Sequence, residues 1–194
     1  MLTSTQWLVL LVLLAVVAVV AIALLTARST RRRHAELKSR FGPEYERALE
    51  QHGSVSRAER ELLAREKRVH HSSLRSLPEA ERLRYAANWD DVQTRFVDDP
   101  SGAVQQADDL IKAVMVARGY SLEHFDQRVA DLSVDHADVV QHYRAARVLS
   151  DANREGRANT EELRQAFVHY RALFTDLLEQ PQQRLDAKLQ EART

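Results

Sequence analysis

The sequence predicts an all-α protein with an N-terminal transmembrane helix, a charged helical stalk and a compact multi-helix bundle. The first observation behind this prediction is an apolar run over residues 7–25, which contains no charged residue, Gly or Pro. The second is that apolar residues after position 40 recur at intervals of three and four, the period of amphipathic helices. The third is that no segment shows the sustained apolar–polar alternation expected of a half-buried strand.

The apolar run has the length of a membrane span. Its nineteen residues rise about 28 Å as a helix, close to the roughly 30 Å of a hydrocarbon core. Trp7 stands at its beginning, where an indole ring can enter the bilayer while its N–H stays hydrated. Residues 1–6 are then a short extracytoplasmic leader, and residues 7–25 are the transmembrane helix.

A cleavable signal peptide is an alternative interpretation of the same residues. The segment Ala21-Ile22-Ala23 has the small-x-small pattern of a cleavage site. Against this, the leader carries no basic residue and the apolar run is longer than a usual signal-peptide core. The two interpretations place the rest of the chain in different compartments, and the anchor is favoured.

A basic segment follows the apolar run and predicts its orientation. Within residues 28–40 the only acid is Glu36. The six cations of this segment are Arg28, Arg31, Arg32, Arg33, Lys38 and Arg40. The positive-inside rule predicts a single-pass inner-membrane protein whose C-terminal domain is cytoplasmic, with these cations facing anionic headgroups. Because the formal net charge of the chain is zero, the remainder is acidic. We therefore predict no nucleic-acid partner.

Residues 26–77 are strongly charged and poor in large apolar side chains, which predicts a basic juxtamembrane segment and a helical stalk. Residues 78–180 hold most of the bulky apolar residues and predict the bundle, and residues 181–194 predict a frayed tail. Helix boundaries are predicted from Gly, Pro and capping residues. The predicted boundaries lie at Gly42-Pro43, Gly53, Ser56 with Glu59, Ser76 with Glu79, Asp99-Pro100, Gly119, Ser133, and Asn159 with Glu162.

Two aromatic stripes mark the core of the bundle. One helix presents Tyr85, Trp89, Val92 and Phe96 on a single face. The last long helix keeps an alternating four- and three-residue spacing through Leu163, Phe167, Tyr170, Phe174 and Leu177.

The sequence contains little that indicates catalysis. The chain has no cysteine, which excludes disulfides, thiol nucleophiles and thiolate metal sites. It also lacks a phosphate-binding Gly-rich loop, a nucleophile elbow and an HExxH motif. Asp138 and His142 are four residues apart and can point the same way from a helix, so a metal site is an alternative to solvated surface residues. We predict no catalytic residue, cofactor or metal.

One four-residue motif occurs twice. His142-Tyr143-Arg144-Ala145 is repeated as His169-Tyr170-Arg171-Ala172, each on an amphipathic segment with Tyr on the apolar face. The simpler interpretation packs Tyr in the core and lays Arg along its surface. The alternative brings both His–Arg pairs together as an anion-binding groove. We select as the candidate interaction surface the polar residues least explained by helix patterning: His136, His142, Arg144, His169 and Arg171.

Several short motifs in residues 41–178 resemble those of a group of bacterial single-span membrane proteins. These motifs include FGPEY, RFVDDP, LSVDH and the two HYRA segments. The resemblance implies a membrane-anchored helical protein, and it implies no activity or catalytic residue.

These observations favour a membrane-tethered helical interaction or scaffold module without catalytic activity. Its expected partners are anionic lipid headgroups and either another protein or a second copy of the chain. One alternative is a self-assembling structural membrane protein. Another is an enzyme, or a sensor of a small ligand or metal, that uses Asp138 with His142 or the HYRA residues.

Overall fold

A computed structural model describes residues 14, 17–18, 20–22, 28–29, 32–72 and 74–179. Residues 32–41 are helical and are called α1 here. The helices that follow are α2 (Pro43–His52), α3 (Val55–His71), α4 (Glu79–Arg95), α5 (Pro100–Arg118), α6 (Phe125–Asp135), α7 (Ala137–Arg154) and α8 (Thr160–Leu178). Over these ranges the structure contains helices and no strand, which confirms the all-α prediction.

Only part of the predicted membrane span belongs to the described residues. Positions 14, 17–18 and 20–22 are helical and exposed. Trp7 and the other positions of the span lie outside the described residues, as do the leader and the segment 181–194. In the described part of the chain, no helix has both the length and the apolar character needed to cross a bilayer.

Several helix boundaries lie where the sequence predicts them. Pro43 opens α2, and Gly53 ends it with a left-handed φ of 66°, a conformation that glycine adopts without a Cβ clash. The Asp99 side chain caps α5 by accepting a hydrogen bond from the Gly102 N–H. At the start of α8, Asn159 and Glu162 form a reciprocal capping box.

We expect the Asn159→Ala variant to lower the free energy of unfolding by about 1 kcal/mol, because the Glu162 N–H loses its side-chain acceptor. Urea unfolding of the full chain in detergent, followed by far-UV circular dichroism, measures this loss. Asn88, on the exposed side of α4, provides the matched control Asn88→Ala. Equal unfolding midpoints for the two variants would contradict the capping role.

Other boundaries differ from the prediction. Helix α3 is capped by Ser54 rather than Ser56, and α4 follows Pro78 without a side-chain cap. Ser133 is not a cap: it lies inside α6 and its hydroxyl donates to the Ala130 carbonyl at 2.6 Å. The chain instead changes direction at His136, which ends α6 and precedes α7.

The bundle core is built by α4 to α8. It buries apolar residues of all five helices, among them Trp89, Ile111, Met115, Val129, Tyr143, Tyr170, Leu173 and Phe174. Helix α8 packs along both α5 and α7, and α4 packs on α5. This arrangement places α8 at the centre of the bundle and α4 at one side.

The predicted stalk is a second packed unit rather than an extended one. Helices α1 to α3 bury a small core against Val134 of α6: Leu37, Phe41, Tyr45, Ala48, Ala58, Leu62 and Val69. These apolar residues are few, but they follow one another at three and four positions and therefore share one face of each helix. The stalk prediction counted the charged residues and missed this inner face.

Candidate functional site

The two HYRA motifs lie side by side on α7 and α8. The Nδ1 atoms of His142 and His169 are 2.9 Å apart, and the two rings are tilted against each other. A hydrogen bond between two ring nitrogens requires that at least one ring is neutral. The structure thus brings together two of the three histidines that the sequence analysis selected.

The tyrosines of the motifs are buried in the core, as predicted. The Tyr170 hydroxyl donates to the Asp108 carboxylate at 3.1 Å, and the Tyr143 oxygen accepts a hydrogen bond from Arg128 Nε at 3.4 Å. Burial raises the pKa of both phenols. Both tyrosines are therefore neutral internal hydrogen-bonding groups near neutral pH.

Burial, together with the neighbouring His142, lowers the pKa of His169. As the pH falls below about 6.5, His169 therefore binds a proton more readily in the unfolded chain than in the folded chain. The contribution of His169 to the free energy of unfolding is thus fully present above that pH and is lost progressively below it. We expect the free energy of unfolding to fall between about pH 7 and pH 5, and His169→Gln to lose part of this dependence. The exposed His124 supplies the control His124→Gln, and unchanged pH dependence in His169→Gln would contradict the prediction.

Arg144 does not accompany the histidines and instead joins the bundle to α2. Its guanidinium donates two hydrogen bonds to Glu44, at 3.2 Å and 3.0 Å, and Gln141 donates a third at 2.8 Å. Glu44 is only 1% exposed, and Arg65 Nη1 of α3 lies 3.6 Å from its second oxygen. We call these four residues the Glu44 joint, because they connect α2, α3 and α7.

Further ion pairs extend from the joint toward α6. Arg65 bonds Glu61, and Arg68 lies 3.6 Å from both Glu61 and Asp131. Burial raises the pKa of the Asp131 carboxyl despite the adjacent Arg68. The α1–α3 unit is therefore held on the bundle by charged as well as apolar contacts.

His136 is a buried structural residue rather than part of an exposed surface. It is 2% exposed, and its ring contacts the Asp176 carboxylate through Nδ1 and Arg118 through Nε2. Arg118 also donates to the Leu177 carbonyl at 2.9 Å. These contacts tie the α6–α7 junction to the C-terminal end of α8.

The remaining member of the predicted set, Arg171, is exposed and lines a cleft between α4 and α8. The alternative interpretation, an anion-binding groove of both His–Arg pairs, is therefore not assembled, because Arg144 bonds Glu44 and Arg171 lines the α4–α8 cleft. The cleft has a volume of about 360 Å³. Trp89 and Phe174 line it, and their rings stack with centroids 4.5 Å apart.

The α4–α8 cleft contains hydrogen-bond donors without a partner among the described residues. These donors are Arg82 Nε and Trp89 Nε1, both inaccessible to solvent, and Trp89 is 5% exposed overall. Arg82 and Arg171 line the cleft together with Asp90 and Glu179. The cleft thus combines an aromatic floor with charged groups of both signs, a composition suited to noncovalent binding of a protein surface.

The basic segment has two environments. Arg28, Arg32, Arg33, Lys38 and Arg40 are all exposed. Lys38 also pairs with Glu46 at 2.6 Å, and Arg40 pairs with Glu66. Arg31 lies outside the described residues. Two of the six predicted lipid-facing cations therefore hold α1 against α2 and α3.

Sequence reasoning missed the residues that organise these sites. The sequence places Glu44 in a short helix and Arg82 in a longer one, but it predicts no role for either residue. No local pattern distinguishes either from a surface residue. Trp89 was correctly placed in the core, but its position at a cleft depends on packing against α8. Among the described residues no group of three or more His, Asp or Glu side chains is arranged to hold a metal ion.

Comparisons with known proteins identify no relative of this chain. No family model, curated protein or solved structure matches the chain. The resemblance to bacterial single-span membrane proteins therefore stays a prediction.

Proposed function

We propose that this chain is a membrane-tethered helical binding module whose α4–α8 cleft docks a protein. In this proposal residues 7–25 span the inner membrane, the N-terminus is outside, and the bundle is cytoplasmic. The observation that carries the proposal is the cleft itself, where Arg and acidic side chains surround an aromatic floor of Trp89 and Phe174. Such amphipathic aromatic and Arg side chains are enriched at protein interfaces.

Two features support the tether. The described positions of the apolar run are helical, and their large side chains are exposed, for example Leu14 at 66% and Ile22 at 61%. Exposed Leu and Ile side chains on a helix are favourable in contact with lipid and unfavourable in water. The exposed cations Arg28, Arg32 and Arg33 follow at the position where a cytoplasmic headgroup layer would lie.

Reporter fusions after Thr194 test the tether and its orientation. We expect activity from a reporter that works only in the cytoplasm, on a full-length chain that fractionates with the membrane. Activity from a reporter that works only outside the cytoplasm, with mass loss near Ala23, would establish the signal-peptide alternative and overturn the proposed location.

Photo-crosslinking in cells tests the cleft. A photoreactive phenylalanine analogue replaces Gln93, which is exposed at the cleft, and in a matched control replaces Val148, which is exposed on α7 away from the cleft. We expect a defined protein adduct from position 93 and none from position 148. Equal labelling at the two positions, or none at either, would contradict docking at the cleft.

A further inference from the structure

We propose that the partner docked at the α4–α8 cleft is a second copy of this chain, so that the cleft is the interface of a two-fold symmetric dimer. This inference rests on the proposed binding role of the cleft and specifies its occupant. It is carried by the order of charged and small residues on the two helices, which is complementary to itself.

The two helices that form the cleft run antiparallel. The Phe167 ring of α8 contacts the rings of both Phe96 and Trp89 in tilted arrangements, whereas Phe174 stacks on Trp89, all with centroids 4.5–5.0 Å apart. Rising residue numbers on α4 therefore correspond to falling numbers on α8. Arg82 and the C-terminal end of α8 consequently lie at the same end of the cleft.

Each helix presents a row of three residues in the same order: a base, a small residue and an acid. The row of α4 is Arg82, Ala86 and Asp90. The row of α8 is Arg171, Thr175 and the C-cap residue Glu179, and all six line the cleft. Residues four apart lie on one helix face, so each base and acid are separated by about 12 Å along the axis. The small residues in the middle permit close approach of another helix.

A two-fold axis through the middle of the cleft reverses these rows and places opposite charges together. If the axis crosses the helices, Arg82 faces Asp90 of the partner subunit, and Arg171 faces Glu179 of the partner subunit. If the axis runs along the helices, Arg82 faces Glu179 of the partner subunit, and Arg171 faces Asp90 of the partner subunit. Both face-to-face arrangements are isologous and complementary.

The four charged side chains are available for these contacts. Among the described residues none of them makes an ion pair, whereas elsewhere Arg144, Lys112 and Arg147 all pair with acids of the same chain. Leu83 and Val168 are exposed three residues before Ala86 and Arg171 and extend the apolar contact at the flanks. Copies confined to one membrane also have a high effective concentration, so a modest interface suffices.

Cysteine crosslinking of the full-length chain in membranes tests the dimer, because the chain has no cysteine of its own. The variants Ala86→Cys and Thr175→Cys place a thiol near the two-fold axis, and Val148→Cys is the exposed control. If the axis crosses the helices, Ala86→Cys and Thr175→Cys each form a disulfide-linked dimer on mild oxidation. If the axis runs along the helices, the double variant Ala86→Cys/Thr175→Cys forms the disulfide-linked dimer instead. Cleft variants that crosslink no more than Val148→Cys would overturn the proposal.

Charge exchange provides a second test that does not depend on disulfide geometry. The double variant Arg82→Glu/Arg171→Glu sets acid against acid in either arrangement, and we expect about a tenfold fall in crosslinked dimer. Adding Asp90→Arg and Glu179→Arg restores complementarity and should restore the dimer. Dimer formation that is unaffected by the double variant, or not restored in the quadruple variant while its far-UV circular dichroism is unchanged, would overturn the proposal.

The outcome at Gln93 separates this inference from the proposed function. A photo-adduct with a different protein, without disulfide crosslinking of Ala86→Cys, of Thr175→Cys or of the variant carrying both cysteines, would reject the dimer and leave the docking role in place. Absence of any adduct at Gln93 would reject both.

Discussion

Replacing Glu44 by Gln should lower the free energy of unfolding by about 3–5 kcal/mol, because it leaves two arginines without their buried counter-charge. Glu44 is 1% exposed and accepts hydrogen bonds from Arg144 and Gln141, with Arg65 close to its second oxygen. The neutral amide keeps the shape of the side chain but not its charge. Thermal or urea unfolding of the full chain in detergent measures the loss.

The exposed Glu50 lies on the same helix and makes Glu50→Gln the matched control, for which we expect a change within about 0.5 kcal/mol. Removing Arg144 as well should recover part of the loss, so the Glu44→Gln/Arg144→Gln double variant should show a coupling of about 1–3 kcal/mol. Similar stabilities of the Glu44→Gln and Glu50→Gln variants would show that the joint contributes little.

Hydrogen exchange can locate the effect. The Glu44 joint connects α2 and α3 to α7, whereas α4 contacts mainly α5. We therefore expect Glu44→Gln to increase amide exchange in α2 and α3 before it does so in α4. Uniform loss of protection would indicate that the α1–α3 unit and the bundle unfold together.

The helix boundaries that the sequence predicts correctly are set by local interactions. Pro43, Gly53, Asp99 and the Asn159–Glu162 box act on their own backbone within a few residues, so their effects can be read without knowing the tertiary structure. The junction at His136 has no Gly or Pro. Its ring is held by Asp176 and Arg118, both remote in sequence, and these contacts cannot be inferred from the local pattern.

The candidate sites were predictable only in part for the same reason. The repeated HYRA motif indicated two equivalent helix faces, and His142 and His169 do meet. The sequence did not indicate that Arg144 would turn to Glu44, because their pairing spans about a hundred residues and depends on how α2 docks. The cleft around Trp89 likewise requires the antiparallel placement of α4 and α8.

Replacing Trp89 by Ala should lower the free energy of unfolding by about 3–5 kcal/mol, the usual cost of truncating a buried aromatic residue. The ring stacks on Phe174 at a centroid distance of 4.5 Å and makes a tilted contact with Phe167 at 5.0 Å, so truncation removes packing from both helices of the cleft. Chemical unfolding of the full chain in detergent, followed by far-UV circular dichroism so that the signal does not depend on the residue removed, measures the loss.

Trp89→Phe is the informative companion variant. It removes ring area but also removes an indole N–H that is buried without a partner among the described residues, a situation that costs about 1–3 kcal/mol. The two effects oppose each other, so we expect a net loss below about 1.5 kcal/mol. A loss as large as that of Trp89→Ala would mean that the N–H is bonded in the intact protein. Its acceptor would then belong to residues outside the described ranges, because the N–H is inaccessible to solvent in the described part of the chain.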